Sequence, residues 1–268
     1  SAFGVAAGPR ASVTLSPLPW LKVLAAYGQG FRSPQARQLQ DGETAPFTKV
    51  HSGDLGTRLF LGPHSELELT LAGFITTLSD DVAFEPAEAR LERIGPTQRM
   101  GGVFYGTLRP WSWFLASASV TYVHATLEGA PPATADNPSP PFEDGQLLPY
   151  VPPWVVRIDS RIEQPVAEID GTDLSLAAGF GFSFLSERPL PYGQLAPSFA
   201  QVDTSAGARW RMLELTIEAY NLFDVQYAAS EYSFVSDWDV GNPPSRLPAR
   251  HFSAGAPFTL LASLGVRL

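Results

Sequence analysis

Strict alternation of apolar and polar residues is the feature that most limits what this chain can become. In "LTIEAYNLFDVQY" (215–227), Leu215, Ile217 and Ala219 alternate with Thr216, Glu218 and Tyr220 before the run breaks into Asn221, Leu222, Phe223 and Asp224. Successive side chains of a strand point to opposite faces, so such a segment has one oily and one polar face. "LSLAAGFGFSF" repeats it, with Leu174, Leu176, Ala178, Phe180, Phe182 and Phe184 set against Ser175, Ala177, Gly179, Gly181 and Ser183. "FLASASVTYVHATL" opposes Phe114, Ala116, Ala118, Val120 and Tyr122 to Ser117, Ser119 and Thr121. "ELELTLAGFITT" opposes Leu67, Leu69, Leu71 and Ile75 to Glu66, Glu68 and Thr70. Helical periodicity is nearly absent.

Further segments of this kind run over about 3–16, 20–32, 47–61, 97–109, 149–163, 199–211 and 256–268, which predicts about eleven strands of ~10 or more residues. A globular strand averages ~5–6 residues, whereas a tilted strand needs ~9–11 to cross a bilayer. No apolar run reaches the ~18–20 residues of a membrane-spanning helix; the nearest, 174–185, is broken by glycine and serine. The connections alternate in length. Those at 17–19, 62–64, 110–111 and 211–212 are tight, with 164–171 somewhat longer, while 33–46, 80–96, 128–148, 188–198 and 225–255 are long and rich in Pro, Gly and acids. Short turns at one end and long loops at the other are the pattern of a transmembrane barrel, with short periplasmic turns and long extracellular loops. Trp20, Trp111, Trp113 and Trp210 fall at the tight-turn ends and Phe31, Tyr122, Tyr150 and Trp154 near the loop ends, as two interfacial girdles would.

Composition narrows the function. Charged residues make up only 17% of the chain against 44% hydrophobic, and the net charge is −9 with eighteen scattered Lys and Arg, which argues against nucleic acid. The chain has no cysteine, so it forms no disulfide and no thiolate metal cluster. Nucleophile-elbow, zincin, phosphate-loop and EF-hand spacings are missing, and "GQGF" and "GFGF" lack the third glycine of a dinucleotide fingerprint, so neither catalysis nor a cofactor is expected. His51, His64, His124 and His251 are far apart; a barrel could bring His51 near His124, but solvated strand ends are the simpler account. The acidic clusters at 79–85 and 236–240 read as solvated loops, with divalent-cation binding as the sharper alternative.

An odd strand count puts the two ends of the chain on opposite sides of a membrane, and an open edge in hydrocarbon leaves amides unpaired. The expectation is therefore a part of a larger barrel. "LAAYGQGFRSPQARQL" (24–39), "KVHSGDLGTRL" (49–59), "RIGPTQRMGGVFYGTL" (93–108), "EAYNLFDVQY" (218–227) and the terminal "FTLLASLGVRL" resemble, in this order, the C-terminal half of TonB-dependent outer membrane receptors. Phe31, Arg32 and Pro34 match the family's aromatic, basic residue and proline at the top of a strand. Asn221, Leu222, Phe223 and Tyr227 match its strand-end motif.

The resemblance implies an all-β, 22-stranded transmembrane antiparallel barrel of which this chain holds about eleven strands, over residues 1–268, with the plug and the first half of the barrel preceding Ser1. It implies receptor-mediated uptake of a scarce ligand such as a ferric siderophore or a cobalamin-like compound. The implied location is the outer membrane of a Gram-negative bacterium, and the implied partners are lipid and lipopolysaccharide, the plug, the TonB complex and the ligand. On this reading Leu213, Leu215, Ile217 and Ala219 face lipid, Glu214, Thr216, Glu218 and Tyr220 face the lumen, and 221–224 mark the outer rim. Arg157, Asp159, Arg161 and Glu163 share the lumen parity as an ion-pair ladder against the plug. Ligand contacts in such receptors come from loops and the outer rim, which selects Arg32, Tyr192, Tyr232, Trp238 and Arg250. Phe258, Leu260, Leu264, Val266 and Leu268 stand where the family carries its assembly signal, although Leu268 replaces the usual terminal aromatic. A porin or secretion pore, which would pass solutes passively, and a soluble all-β binding protein are the rival readings.

Overall fold

Each long alternating segment forms a strand in the computed structural model, which describes residues 7–32, 48–85, 90–130, 143–236 and 247–267. The strands are β1 (Arg10–Leu18), β2 (Leu21–Arg32), β3 (Thr48–Leu61), β4 (Leu67–Glu85), β5 (Arg90–Trp111), β6 (Phe114–Leu127), β7 (Trp154–Ile169) and β8 (Thr172–Leu185). A small hairpin follows, β9 (Arg188–Pro189) and β10 (Leu195–Ala196), around a 3-10 turn at Pro191–Gly193. Then come β11 (Phe199–Trp210), β12 (Leu213–Tyr220), the hairpin of β13 (Ala228–Ser236) and β14 (Leu247–Ala254), and finally β15 (Thr259–Val266). Eleven of these make one antiparallel sheet in the order β1-β2-β3-β4-β5-β6-β7-β8-β11-β12-β15. The expected count of eleven wall strands is met.

Register carries the face of each strand to the next, because residues directly paired in antiparallel strands lie on the same face. Lys22 pairs with Arg58, Arg58 with Thr70, Thr70 with Tyr105, Tyr105 with Ser119, Ser119 with Arg157, Arg157 with Ser183 and Ser183 with Gln201. That row is polar across eight strands. The neighbouring row, Val23, Thr57, Leu71, Phe104, Val120, Val156, Phe184 and Ala200, is apolar almost throughout. One sheet therefore has one oily and one polar surface along its whole width. The oily surface has no protein cover among the described residues: Leu55, Leu71, Ile75, Leu176, Phe180, Leu215, Ile217 and Leu264 are all exposed. A soluble protein rarely leaves so large a contiguous apolar surface in water.

Three expectations about connections are corrected. The segment 80–96 is not a loop, since β4 and β5 continue to Glu85 and from Arg90, with register shifts between Leu78 and Val82. The segment 164–171 is a two-residue turn at Asp170 and Gly171, with positive φ of 50° and 69°; a register shift at Pro165–Ala167 had interrupted the sequence pattern. The long stretches 188–198 and 225–255 hold the two hairpins. Elsewhere the tight turns lie where expected. At 62–66, Gly62 has φ 90°, a conformation that favours glycine, and it lies against the Glu66 carboxylate.

The girdle residues mostly hold their places. Trp111 stacks on Trp113 at 4.8 Å beside Phe114 at the tight-turn end, and Tyr122 lies 4.7 Å from Trp154 on the oily surface at the loop end. Tyr150 does not belong to this belt. It has φ 66° in the β6–β7 connection and sets its ring edge-on to Tyr232 at 5.7 Å, among the loops. The same connection packs Leu148 against Ile94, Ala125 and Leu127, a small buried cluster capping the outer end of the polar face.

Candidate functional site

Chemistry on this molecule concentrates on the polar face and at its outer rim. Side chains two residues apart on one strand share a face, which is why Arg157, Asp159, Arg161 and Glu163 line up on β7. Arg157 donates Nε to both Asp159 oxygens at 2.9 Å, and Nη1 to Ser183 Oγ at 2.7 Å and Asp203 Oδ2 at 3.3 Å. Arg161 Nη2 reaches Glu163 Oε2 at 2.7 Å, whose other oxygen takes Arg209 Nη2 at 2.9 Å. Arg267 pairs with Glu214 at 2.9 Å, and Arg58 with Glu68 at 2.8 Å. The expected ladder is present, and it extends across strands to Asp203 and Arg209. Between its banks Ala177, Gly179 and Gly181 of β8 and Ser205 and Gly207 of β11 floor a groove of about 380 Å³. Small residues there leave room for the guanidiniums to lie across the sheet: a Cβ on Gly181 would meet Arg157 Nη2 at 2.6 Å.

The strand-end motif works as a stitch. Asn221 ends β12 at φ 51°, a left-handed conformation that asparagine tolerates better than most residues. Its side chain, buried at 1% residue exposure, donates Nδ2 to the carbonyls of Val225 and Ala256 at 3.0 Å and accepts the Val225 N–H at 2.9 Å. Asp203 accepts the Asn221 N–H at 3.0 Å, and Asp224 Oδ1 accepts the Phe258 N–H at 2.9 Å. The chain leaving the wall for the β13–β14 hairpin is thus tied to the chain returning from it. Tyr227 stacks on Phe199 at 4.6 Å, and Gly255 lies so close that a Cβ would meet the Tyr227 ring at 2.3 Å. Leu222 and Phe223 are exposed.

Of the residues selected as ligand contacts, Arg32 lies at the top of β2 on the polar face, 3.5 Å from Asp81 Oδ1. Asp81, its side chain 4% exposed, also binds Arg99 and accepts from Thr97 Oγ1 at 2.9 Å and Val82 N–H at 2.8 Å. Tyr192 has φ 61° within the 3-10 turn. Tyr232 packs against Tyr150 on β13, and Arg250 of β14 reaches Glu231 at 3.0 Å and the Leu195 carbonyl at 3.0 Å. Tyr192, Tyr232 and Arg250 therefore belong to one group of loops, and Arg32 to another. Trp238, Pro34 and Leu268 lie outside the described residues. Phe31 sits on the oily face beside Lys49. Phe258 is exposed, and Leu260, Leu264 and Val266 line the oily face of β15 opposite Ala219, Leu215 and Leu213.

Asp81, Asp203 and Glu231, the acids around which these groups are built, went unselected in the sequence. Asp81 reads there as loop acid, although its spacing from Thr97 and Arg99 across a continued hairpin is the clue once register is known. His51 and His124 are not brought together: both lie on the oily face, but in β3 and β6 with two strands between them, and His51 Nδ1 instead meets Tyr27 OH at 3.1 Å. Among the described residues no group of three His, Cys, Asp or Glu is placed to hold a metal ion.

The family model described as "TonB dependent receptor-like, beta-barrel" matches residues 4–222. The solved closed form of the ferric-catecholate import receptor Fiu of E. coli K12 superposes with a TM-score of 0.69 at 18% identity, over 96% of this chain and 34% of that one. The ferric yersiniabactin uptake receptor FyuA of Yersinia pestis gives 0.68 at 16%, over 96% and 36%. The siderophore receptor PiuA of Acinetobacter baumannii gives 0.69 at 16%, over 96% and 35%. At such identities the likeness is one of fold, and this chain spans about a third of the length of each. No curated protein matches the sequence.

Proposed function

Because this chain belongs to the TonB-dependent receptor β-barrel family, we propose that residues 1–268 are the C-terminal part of such a receptor's barrel and serve uptake rather than catalysis. The ligand is a scarce compound of the ferric siderophore or cobalamin-like class, captured at the outer membrane of a Gram-negative bacterium. A plug domain of the same receptor stands against the polar face, the TonB complex supplies energy through that plug, and lipid with lipopolysaccharide covers the oily face.

The observation that carries this reading is the sheet itself, oily on one whole surface and charged on the other. The strand directions support it further. Eleven strands alternate in direction, so β1 and β15 run the same way, and antiparallel closure requires an odd number of additional strands. Eleven more would give the family's 22. A lipid-exposed edge left unpaired would cost several kcal/mol per backbone group. On the polar face the charges are largely paired with one another, as suits a wall beside a removable plug.

Expression of the full-length receptor tests this. It should fractionate with outer membranes, migrate heat-modifiably on a gel, and accumulate a radiolabelled ferric chelate from a siderophore panel only in cells that contain TonB. Accumulation without TonB would make it a passive pore. Solubility without detergent would mean that the oily surface packs against protein, and the reading would fail.

A further inference from the structure

Two excursions leave the wall at its outer end, one carrying β9 and β10 and the other β13 and β14. Side chains, not strand pairing, join them. Glu231 of β13, its side chain 2% exposed, lies 3.0 Å from Arg250 Nε of β14 and 4.0 Å from Arg188 Nη2 of β9. One carboxylate is therefore shared by both hairpins. Arg250 Nη1 also donates to the Leu195 carbonyl of β10 at 3.0 Å, and Gln194 Nε2 to the Pro248 carbonyl of β14 at 3.4 Å. The β6–β7 connection is wedged alongside, with the Tyr150 N–H donating to the Pro189 carbonyl at 2.8 Å and the Tyr150 ring against Tyr232.

The material of this joint is unlike that of a permanent seam. One side supplies buried Leu190, Pro191 and Ala196, but the other supplies Glu231 and Ser233. Among the described residues Ser233 Oγ is buried without a hydrogen-bond partner, and Glu231 Oε1 faces Arg250 Nε at a distance suited to charge attraction but at an angle unsuited to a hydrogen bond. Buried charges recover their desolvation cost only through one another, so loss of the shared carboxylate leaves two guanidiniums stranded, one of them nine-tenths buried. Tyr150 and Tyr192 flank the joint at φ 66° and 61°, conformations that non-glycine residues hold only where their surroundings enforce them. The wall ends of the larger excursion are separately fixed by Asn221 and by Tyr227 on Phe199.

We propose that the β9–β10 and β13–β14 hairpins form one cooperative lid at the outer rim, pinned by Glu231, which docks and opens as a unit. The coupling of the two hairpins stands on their geometry, whereas its place at an outer rim rests on the proposed uptake reading; exchange tests the first and heat-modifiable migration the second. Hydrogen–deuterium exchange of the purified full-length receptor tests it. In the unmodified protein, segments 188–196, 228–236 and 247–254 should open with one common rate. Glu231→Gln should accelerate all three together, by roughly tenfold or more, and leave β8 and β11 unchanged. Heat-modifiable migration checks that the variant's barrel is folded, and Arg250→Met, at a half-exposed position, should give the same joint acceleration. Acceleration confined to 228–236 and 247–254, no acceleration at all, or separate rates in the unmodified protein would overturn the proposal.

Discussion

Asn221 offers the most decisive test of how the wall is closed at its outer end. Replacement by alanine removes three hydrogen bonds, two donated by Nδ2 and one accepted by Oδ1, from a side chain with almost no access to water. At about 1 kcal/mol net for each bond, the loss is about 3 kcal/mol. Alanine must also hold φ 51°, which adds about 1 kcal/mol that glycine would not incur. The expected local cost is then about 4 kcal/mol for Asn221→Ala and about 3 kcal/mol for Asn221→Gly. At 1.4 kcal/mol per decade, opening at the stitch should become about a thousandfold and about a hundredfold more frequent, respectively. Exchange at the Leu222 and Gly255 amides, whose backbone bonds to the Val202 and Tyr227 carbonyls survive either substitution, reports this in the full-length receptor. Unchanged exchange at both amides in both variants would refute the stitch, and equal acceleration in the two variants would refute the strain at Asn221.

The assignment of faces can be tested on adjacent residues of β12. Ile217→Arg places a charge on the oily surface opposite Ala206, four residues in from the Trp210 girdle, and should cost about 2–4 kcal/mol if that surface meets the bilayer, whereas Thr216→Arg on the polar face should assemble normally; heat-modifiable migration from outer membranes distinguishes them. Asp81→Ala strands Arg32 and Arg99, both partly exposed and so partly screened, and should cost about 2 kcal/mol, less than the ~3–5 kcal/mol of a fully buried pair, read as faster exchange around 94–99. In the turn at 62–66, the Glu66 carboxyl is held below its ordinary value chiefly by its own backbone N–H, an effect opposed by desolvation and reinforced by the backbone N–H and side chain of His64. A lowered carboxyl stabilises the turn at pH above its unfolded value, and that contribution disappears as pH falls through the folded value. Glu66→Gln should remove this dependence, measurable as the pH profile of proteolysis in the turn.

The fold was legible where water and oil lie on opposite sides of a strand. Alternation then has to run through every crossing, and register transmits it, so the parity of Leu174 and Ser175 on β8 already fixed that of Trp210 and Arg209 on β11. It failed above the oily band. Around Asp80 and Asp81 the strands continue without an oily side to maintain, and a run of acids interrupted by Pro86 and followed by Pro96 imitates a loop. Pro165 did the same on β7, where a register shift displaces the pattern by one residue. Tyr150 imitated a girdle aromatic because sequence records its nearness to a strand end but not its left-handed backbone. The ladder from Arg157 to Glu163 was visible because i, i+2 spacing lies within one strand; Asp203 and Glu231 were not, because their partners are 46 and 19 residues away in Arg157 and Arg250.

That difference bears on what the selected arginines do. At two places the rim sets two guanidiniums around one buried carboxylate: Arg32 and Arg99 around Asp81, and Arg188 and Arg250 around Glu231. Taken by themselves, the three side chains of each group carry one surplus positive charge. In each the arginine selected from sequence is the more exposed member, Arg32 at 40% and Arg250 at 45%. An acid that pairs with an arginine does not cancel its use in recognition when a second arginine shares the acid; it fixes where the guanidinium points and leaves one of the two positive charges unmatched within the group. Structural and recognition roles are therefore compatible at these positions. The acids, though invisible to a search for ligand-binding residue types, decide whether those arginines are held in place or wander.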